Sequence, residues 1–100
     1  MMALNFANMG VIYAQLGDDT RARQLFRKGL DTDEDAVVRM ISQLANVVQS
    51  NPSAKGYLHV GIMLELADQH VQAQEAFARA RQLDASAVPP AALNAEFAAR

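Results

Sequence analysis

The stretch 54-AKGYLHVGIMLELADQHVQAQEAFARARQLD-84 decides how this chain folds. Tyr57, Val60, Gly61 and Leu64 fall three, four and seven residues apart, and Ala73, Phe77 and Ala80 follow at four and three, so two successive helices each carry an apolar stripe. A polar break, Asp68-Gln69-His70, separates them. Small residues inside both stripes predict an antiparallel helical hairpin whose backbones approach closely at Gly61, Ala73 and Ala80. The same spacing recurs near the N-terminus, where Phe6, Met9, Gly10 and Tyr13 precede Gly17, Ala22, Phe26 and Gly29.

This pattern of an aromatic, a large apolar residue, Gly, a second aromatic and then Ala-x3-Phe resembles a tetratricopeptide repeat. The first copy, 3–36, matches nearly throughout, with Phe6 where the family usually has Trp and with Leu16-Gly17 at the turn. The second copy, 54–87, departs in having Leu64 for the usual Tyr, Asp68 for the turn Gly and Ala85 near the usual closing Pro. The residues that carry the repeat packing are then Phe6, Gly10, Tyr13, Ala22 and Phe26 in one copy, and Tyr57, Gly61, Leu64, Ala73, Phe77 and Ala80 in the other.

Composition sets the wider frame. One hundred residues suit a single domain burying roughly two-thirds of its unfolded surface. With 51% apolar residues, abundant Ala and few β-branched runs, an all-α chain is expected. Nine basic and eleven acidic residues are interspersed for a net charge of −2, which disfavours nucleic-acid binding. Arg21, Arg23, Arg27 and Lys28 form a local basic cluster that reads as a solvated helix face. The absence of Cys rules out disulfides and thiolate metal sites. No run reaches the roughly 18 apolar residues of a membrane span, and the opening residues lack the pattern of a signal peptide, so the cytoplasm is the expected compartment, with a soluble fragment of an exported or larger protein as the alternative.

Taken in order, the chain predicts about five helices and a short terminal one. The first, 3–16, directs Phe6, Met9, Gly10 and Tyr13 inward and ends at Gly17. Asp18-Asp19 starts the second, whose inner stripe is Ala22, Leu25, Phe26 and Gly29. Thr32 with Asp35 resembles a capping box for an extra helix at 33–50, and Val37, Met40, Ile41, Leu44, Val47 and Val48 give that helix a broad apolar face. Asn51-Pro52 suggests the next cap and first helical residue. Pro89-Pro90 stops the last long helix, and 90–100 reads as a capping helix, or as the start of a truncated next repeat.

The two motif glycines, Gly10 and Gly61, lie 51 residues apart, one and a half periods of a repeat of about 34 residues. Two framings follow. Either the helix at 33–50 stands between two motif hairpins, or it pairs with the helix that begins near Ala54. The small residues at Gly61, Ala73 and Ala80 favour the motif hairpin.

No catalytic or cofactor constellation emerges. His59 and His70 bring no evident metal-ligand set, the serines have no Asp/His partnership, and the five glycines are scattered singly. The expectation is a non-enzymatic chain with no cofactor. In tetratricopeptide arrays the first helix of each hairpin lines a concave groove for a partner peptide or helix. The resemblance therefore implies groove residues Leu4, Ala7, Asn8, Val11 and Gln15 from the first copy, and Lys55, Leu58, His59, Ile62 and Glu65 from the second. Asn8 stands where some members bond a peptide backbone, and Lys55 and His59 stand where some hold a carboxylate. The expected function is an interaction module of the adaptor, chaperone or assembly-factor kind. The alternative is self-association, as a homodimer or by domain swapping, through Val38, Met40, Ile41, Val47 and Val48.

Overall fold

The computed structural model describes residues 2–90, and the capping helix expected after Pro90 lies outside the described residues. Five α-helices follow one another: α1 (Met2–Gln15), α2 (Asp19–Thr32), α3 (Glu34–Ser50), α4 (Ala54–Leu66) and α5 (His70–Leu83). The described residues contain no strand, so the fold is all-α. The most extensive helix pairings are α1 with α2 and α4 with α5, while α3 packs against α1, α2 and α4. Of the two framings, the motif hairpin at 54–84 is therefore the one present. No helix among the described residues is long and apolar enough to cross a membrane.

The two hairpin turns have one geometry and two chemistries. Gly17 closes α1 at φ 87°, and Asp18 N donates to Tyr13 O at 2.9 Å. At the equivalent place Asp68 adopts φ 63°, and Gln69 N donates to Leu64 O at 2.8 Å. Aspartate is among the few residues other than Gly that tolerate this left-handed conformation, so the turn survives the exchange.

Helix starts differ from expectation at two places. Thr32 does not cap α3: it is the last residue of α2, and its hydroxyl donates to Lys28 O at 2.7 Å. Asp33 caps instead, accepting from Ala36 N at 3.1 Å. Nor do Asn51-Pro52 open α4, because Asn51 N still donates to Val47 O and finishes α3. Proline disfavours a helical conformation in the residue before it, and α4 begins two residues later with Ser53 as its cap.

The inward stripe of α1 is also rotated from expectation. Its buried face is Ala3, Ala7, Gly10, Val11 and Ala14, whereas Phe6 and Tyr13 are half-buried and Met9 is 43% exposed. The cause is the closeness of α1 and α2. A Cβ on Gly10 would lie 2.8 Å from Ala22 O, and one on Gly29 would lie 2.7 Å from Ala3 O. That seam has no room for large side chains, so the aromatics straddle its edge. Lys28 Nζ sits 4.7 Å from the Phe6 ring centre and the Arg21 guanidinium 5.7 Å from that of Tyr13. In the second hairpin the Phe77 ring lies on Gly61, between the fully buried Ala73 and Ala80. Tyr57 and Leu64 are half-buried and pack against Val48, Val60 and Ala76.

The main core joins both hairpins to α3. Phe26 and Val37 are fully enclosed there, with Val11, Ile62, Met63, Leu66 and Phe77 around them. Each such side chain contributes about 1.5–3 kcal/mol by leaving water.

Candidate functional site

Lys55, Leu58, His59 and Ile62 recur at three, four and seven residues along α4 and therefore share one side of it. Gln15, the last residue of α1, borders the same side. The far wall comes from the chain beyond α5. Ser86 N and Ser86 Oγ both donate to Asp84 Oδ1, at 3.0 and 2.7 Å, and Ala87 N donates to Asp84 O at 2.9 Å. These bonds hold the Asp84 carboxyl below its usual pKa and turn the chain back. Ala87 and Pro89 are buried, while Val88 and Pro90 face the space between. The result is a groove of about 410 Å³ lined by Gln15, Lys55, Leu58, His59, Ile62, Val88 and Pro90.

Its floor is apolar, and its polar groups are few. His59 Nε2 is buried and finds no hydrogen-bond partner among the described residues. Burial pushes the His59 pKa below the ordinary histidine value, which favours the neutral imidazole. A neutral ring can offer Nε2 as donor or acceptor, according to tautomer. Lys55 places an ammonium at the rim and Gln15 an amide, both exposed. Such a lining suits an apolar side chain together with one carbonyl or carboxylate.

Four of the expected partner residues, Gln15, Lys55, His59 and Ile62, thus meet at one place, with Leu58 among them. The others do not. Asn8 is exposed but lies outside the groove, and Val11 is 3% exposed because it fills the main core. Leu4 packs against that core and Ala7 is fully buried in it. Glu65 is wholly buried. Val88 and Pro90 escaped the sequence reading, which took Pro89-Pro90 only as a helix stop. Consecutive prolines also stiffen a chain, and that was the available signal.

Glu65 serves an internal network instead. His70 Nδ1 lies 2.8 and 2.7 Å from its two carboxylate oxygens, and an Arg23 nitrogen is 3.8 Å away. Arg23 also binds Asp19 at 2.9 Å, and Arg27 reaches Asp68 at 3.2 Å. The network ties α2 to the turn between α4 and α5. Of the basic cluster, Arg21, Arg27 and Lys28 are exposed, as expected of a solvated face, and they also make ion pairs and aromatic contacts, while Arg23 is half-buried. No group of three metal-ligating side chains converges among the described residues.

The self-association residues on α3 are divided by the fold. Ile41 and Val48 are buried and Met40 is half-buried, because α3 spends its apolar face on α1, α2 and α4. Val38 and Val47 are 48% and 62% exposed, but nine residues on a helix place them on opposite sides. They cannot form one patch. Comparison of the chain with protein-family models, with curated proteins and with solved structures finds no match.

Proposed function

We propose that the chain is a non-catalytic interaction module of the tetratricopeptide type, and that it holds a short segment of a partner protein in the groove between α1, α4 and the 84–90 return. The observation that carries this reading is His59 Nε2, buried and without a hydrogen-bond partner among the described residues, beside Leu58, Ile62 and Val88, with Lys55 at the rim. An unpaired polar atom in such a place is costly until something bonds to it, so a ligand group that does so gains more there than at the open surface. The partner segment contributes one or two apolar side chains to the floor and a carbonyl or carboxylate to His59 and Lys55. Its role is that of an adaptor, chaperone or assembly factor.

The test is selection from a displayed peptide library, followed by titration of the enriched peptides. Lys55→Glu and Leu58→Asp abolish binding, whereas Asn8→Ala, outside the groove, leaves it unchanged. Equal affinity for all three variants would sink the reading. Self-association through α3 has less support, since two of its five candidate residues are buried and the two most exposed face apart.

A further inference from the structure

We propose that a recess between α1 and α2 holds an acidic amphipathic helix of a partner protein, with the partner's carboxylates on Arg21 and Lys28 and its apolar side chain between them. The recess measures about 400 Å³ and is lined by Met9 and Tyr13 of α1 and by Arg21, Gln24, Leu25 and Lys28 of α2. Its floor is apolar, both of its charges are positive, and no carboxylate lines it. The chain as a whole is at −2, so this local excess runs against the average. Such a lining calls for an apolar group flanked by anions.

Both cations are already placed. Lys28 Nζ lies 4.7 Å from the Phe6 ring centre and the Arg21 guanidinium 5.7 Å from that of Tyr13, so their stems run along apolar surface and a ligand spends little on ordering them. Neither is neutralised. Arg21 meets Asp18 at 3.6 Å in an exposed pair, and Lys28 has no ion pair among the described residues. The two stand seven residues apart on α2, two helical turns or about 10 Å, with Gln24 and Leu25 midway. A partner helix lying along α2 repeats that spacing when it carries two acids a heptad apart and an apolar residue midway.

The second hairpin has the same recess with a different charge. Moved by the 51 residues between the motif glycines, the six lining positions become Val60, Leu64, Gln72, Glu75, Ala76 and Arg79, and all six line a smaller recess there. Gln72, Glu75 and Arg79 stay exposed although Ala45 and Gln49 of α3 border them. A helix ahead of the hairpin therefore does not close this side, and the openness of the first recess does not turn on what precedes α1. Glu75 offsets Arg79, whereas Gln24 leaves Arg21 and Lys28 unopposed. Of the two recesses, only the first attracts acids. Nucleic acid is the weaker fit, because two cations neutralise few phosphates and the floor of Met9 and Leu25 offers phosphates nothing. The groove at Lys55 and His59 is a separate surface, and this inference does not depend on it.

Fluorescence anisotropy on the full chain tests it with a labelled helical peptide that carries two glutamates a heptad apart and leucines between them. The same peptide with glutamines binds at least about tenfold more weakly, and added salt erodes the difference. Arg21→Glu with Lys28→Glu lowers affinity for the glutamate peptide at least about tenfold and gains affinity for the version with lysines, a swap that misfolding cannot produce. Arg79→Glu, at the equivalent place in the second hairpin, changes neither. Should the double variant fail to fold by circular dichroism, Lys28→Met keeps the stem on Phe6 and loses at least about threefold. Equal binding of the glutamate and glutamine peptides overturns the proposal. So does undiminished affinity in the charge-reversed or Lys28→Met chain, or an equal loss in Arg79→Glu. A single-stranded oligonucleotide that binds the recess more tightly than the glutamate peptide assigns it to nucleic acid and overturns the proposal as well.

Discussion

Helices α1 and α4 occupy the same place in their hairpins and are alike in being apolar around most of their circumference. Both pack against α3, yet the face of α4 that bears Gly56, Val60 and Met63 is closed, whereas the equivalent face of α1 is exposed. Val60 and Met63 are core; Met9 and Ile12, their counterparts, are at the surface. An apolar pattern states what a helix can bury, and the order of the elements decides what it does bury.

Exchanges between equivalent positions test that difference. The largest effect belongs to Ala14, which stands where Glu65 stands in the second copy and is fully buried. Ala14→Glu would place a carboxylate in a core where Asp19 replaces His70 as the equivalent neighbour. It is expected to cost about 3–5 kcal/mol in urea unfolding, against roughly 1–3 kcal/mol for Glu65→Ala. Next comes truncation of the paired outer faces. Met63→Ala should cost about 2–4 kcal/mol, while Ile12→Ala in dilute protein stays within about 0.5 kcal/mol. Equal losses would mean that the two faces are equally covered and the comparison fails.

The smallest effect is the pH dependence of His59. Its folded pKa is lowered by burial, so its contribution is complete above the unfolded value of about 6.5 and is lost as pH falls through and below that value. Thermal melting between about pH 7.5 and 5.5 should therefore drop more for wild type than for His59→Gln. An identical drop would show that the ring is not buried as described.

Much of the fold was legible because its close contacts use residue types that sequence displays openly. Gly10, Gly29 and Gly61 mark where backbone or a ring comes within reach, and no other residue fits there. The rotation of the α1 stripe was not legible. Phe6, Met9 and Tyr13 lie on the border between two faces, and only the nearness of the α2 backbone decides which one goes inside. The groove was partly legible, since Lys55, His59 and Ile62 share a helix face, but its far wall depends on a turn at Asp84 and Ser86 that returns residues from elsewhere in the chain. The pairing of Glu65 with Arg23 crosses 42 positions and leaves no local spacing to read. Its trace was a Glu amid the apolar run of α4, where the first copy has Ala.

Asp33 both terminates one helix and starts the next. Its N–H donates to Gly29 O at 3.0 Å while its side chain accepts from Ala36 N at 3.1 Å, so α2 and α3 share a single residue and have no slack between them. Residues 51–53, by contrast, separate α3 from α4 by three positions. The joint at Asp33 is an elbow with no spare link, and the one at 51–53 is a three-residue spacer. An inserted residue therefore has no place at Asp33 without breaking a cap or a helix end, whereas 51–53 has room for one between the last helical bond of Asn51 and the Ser53 cap.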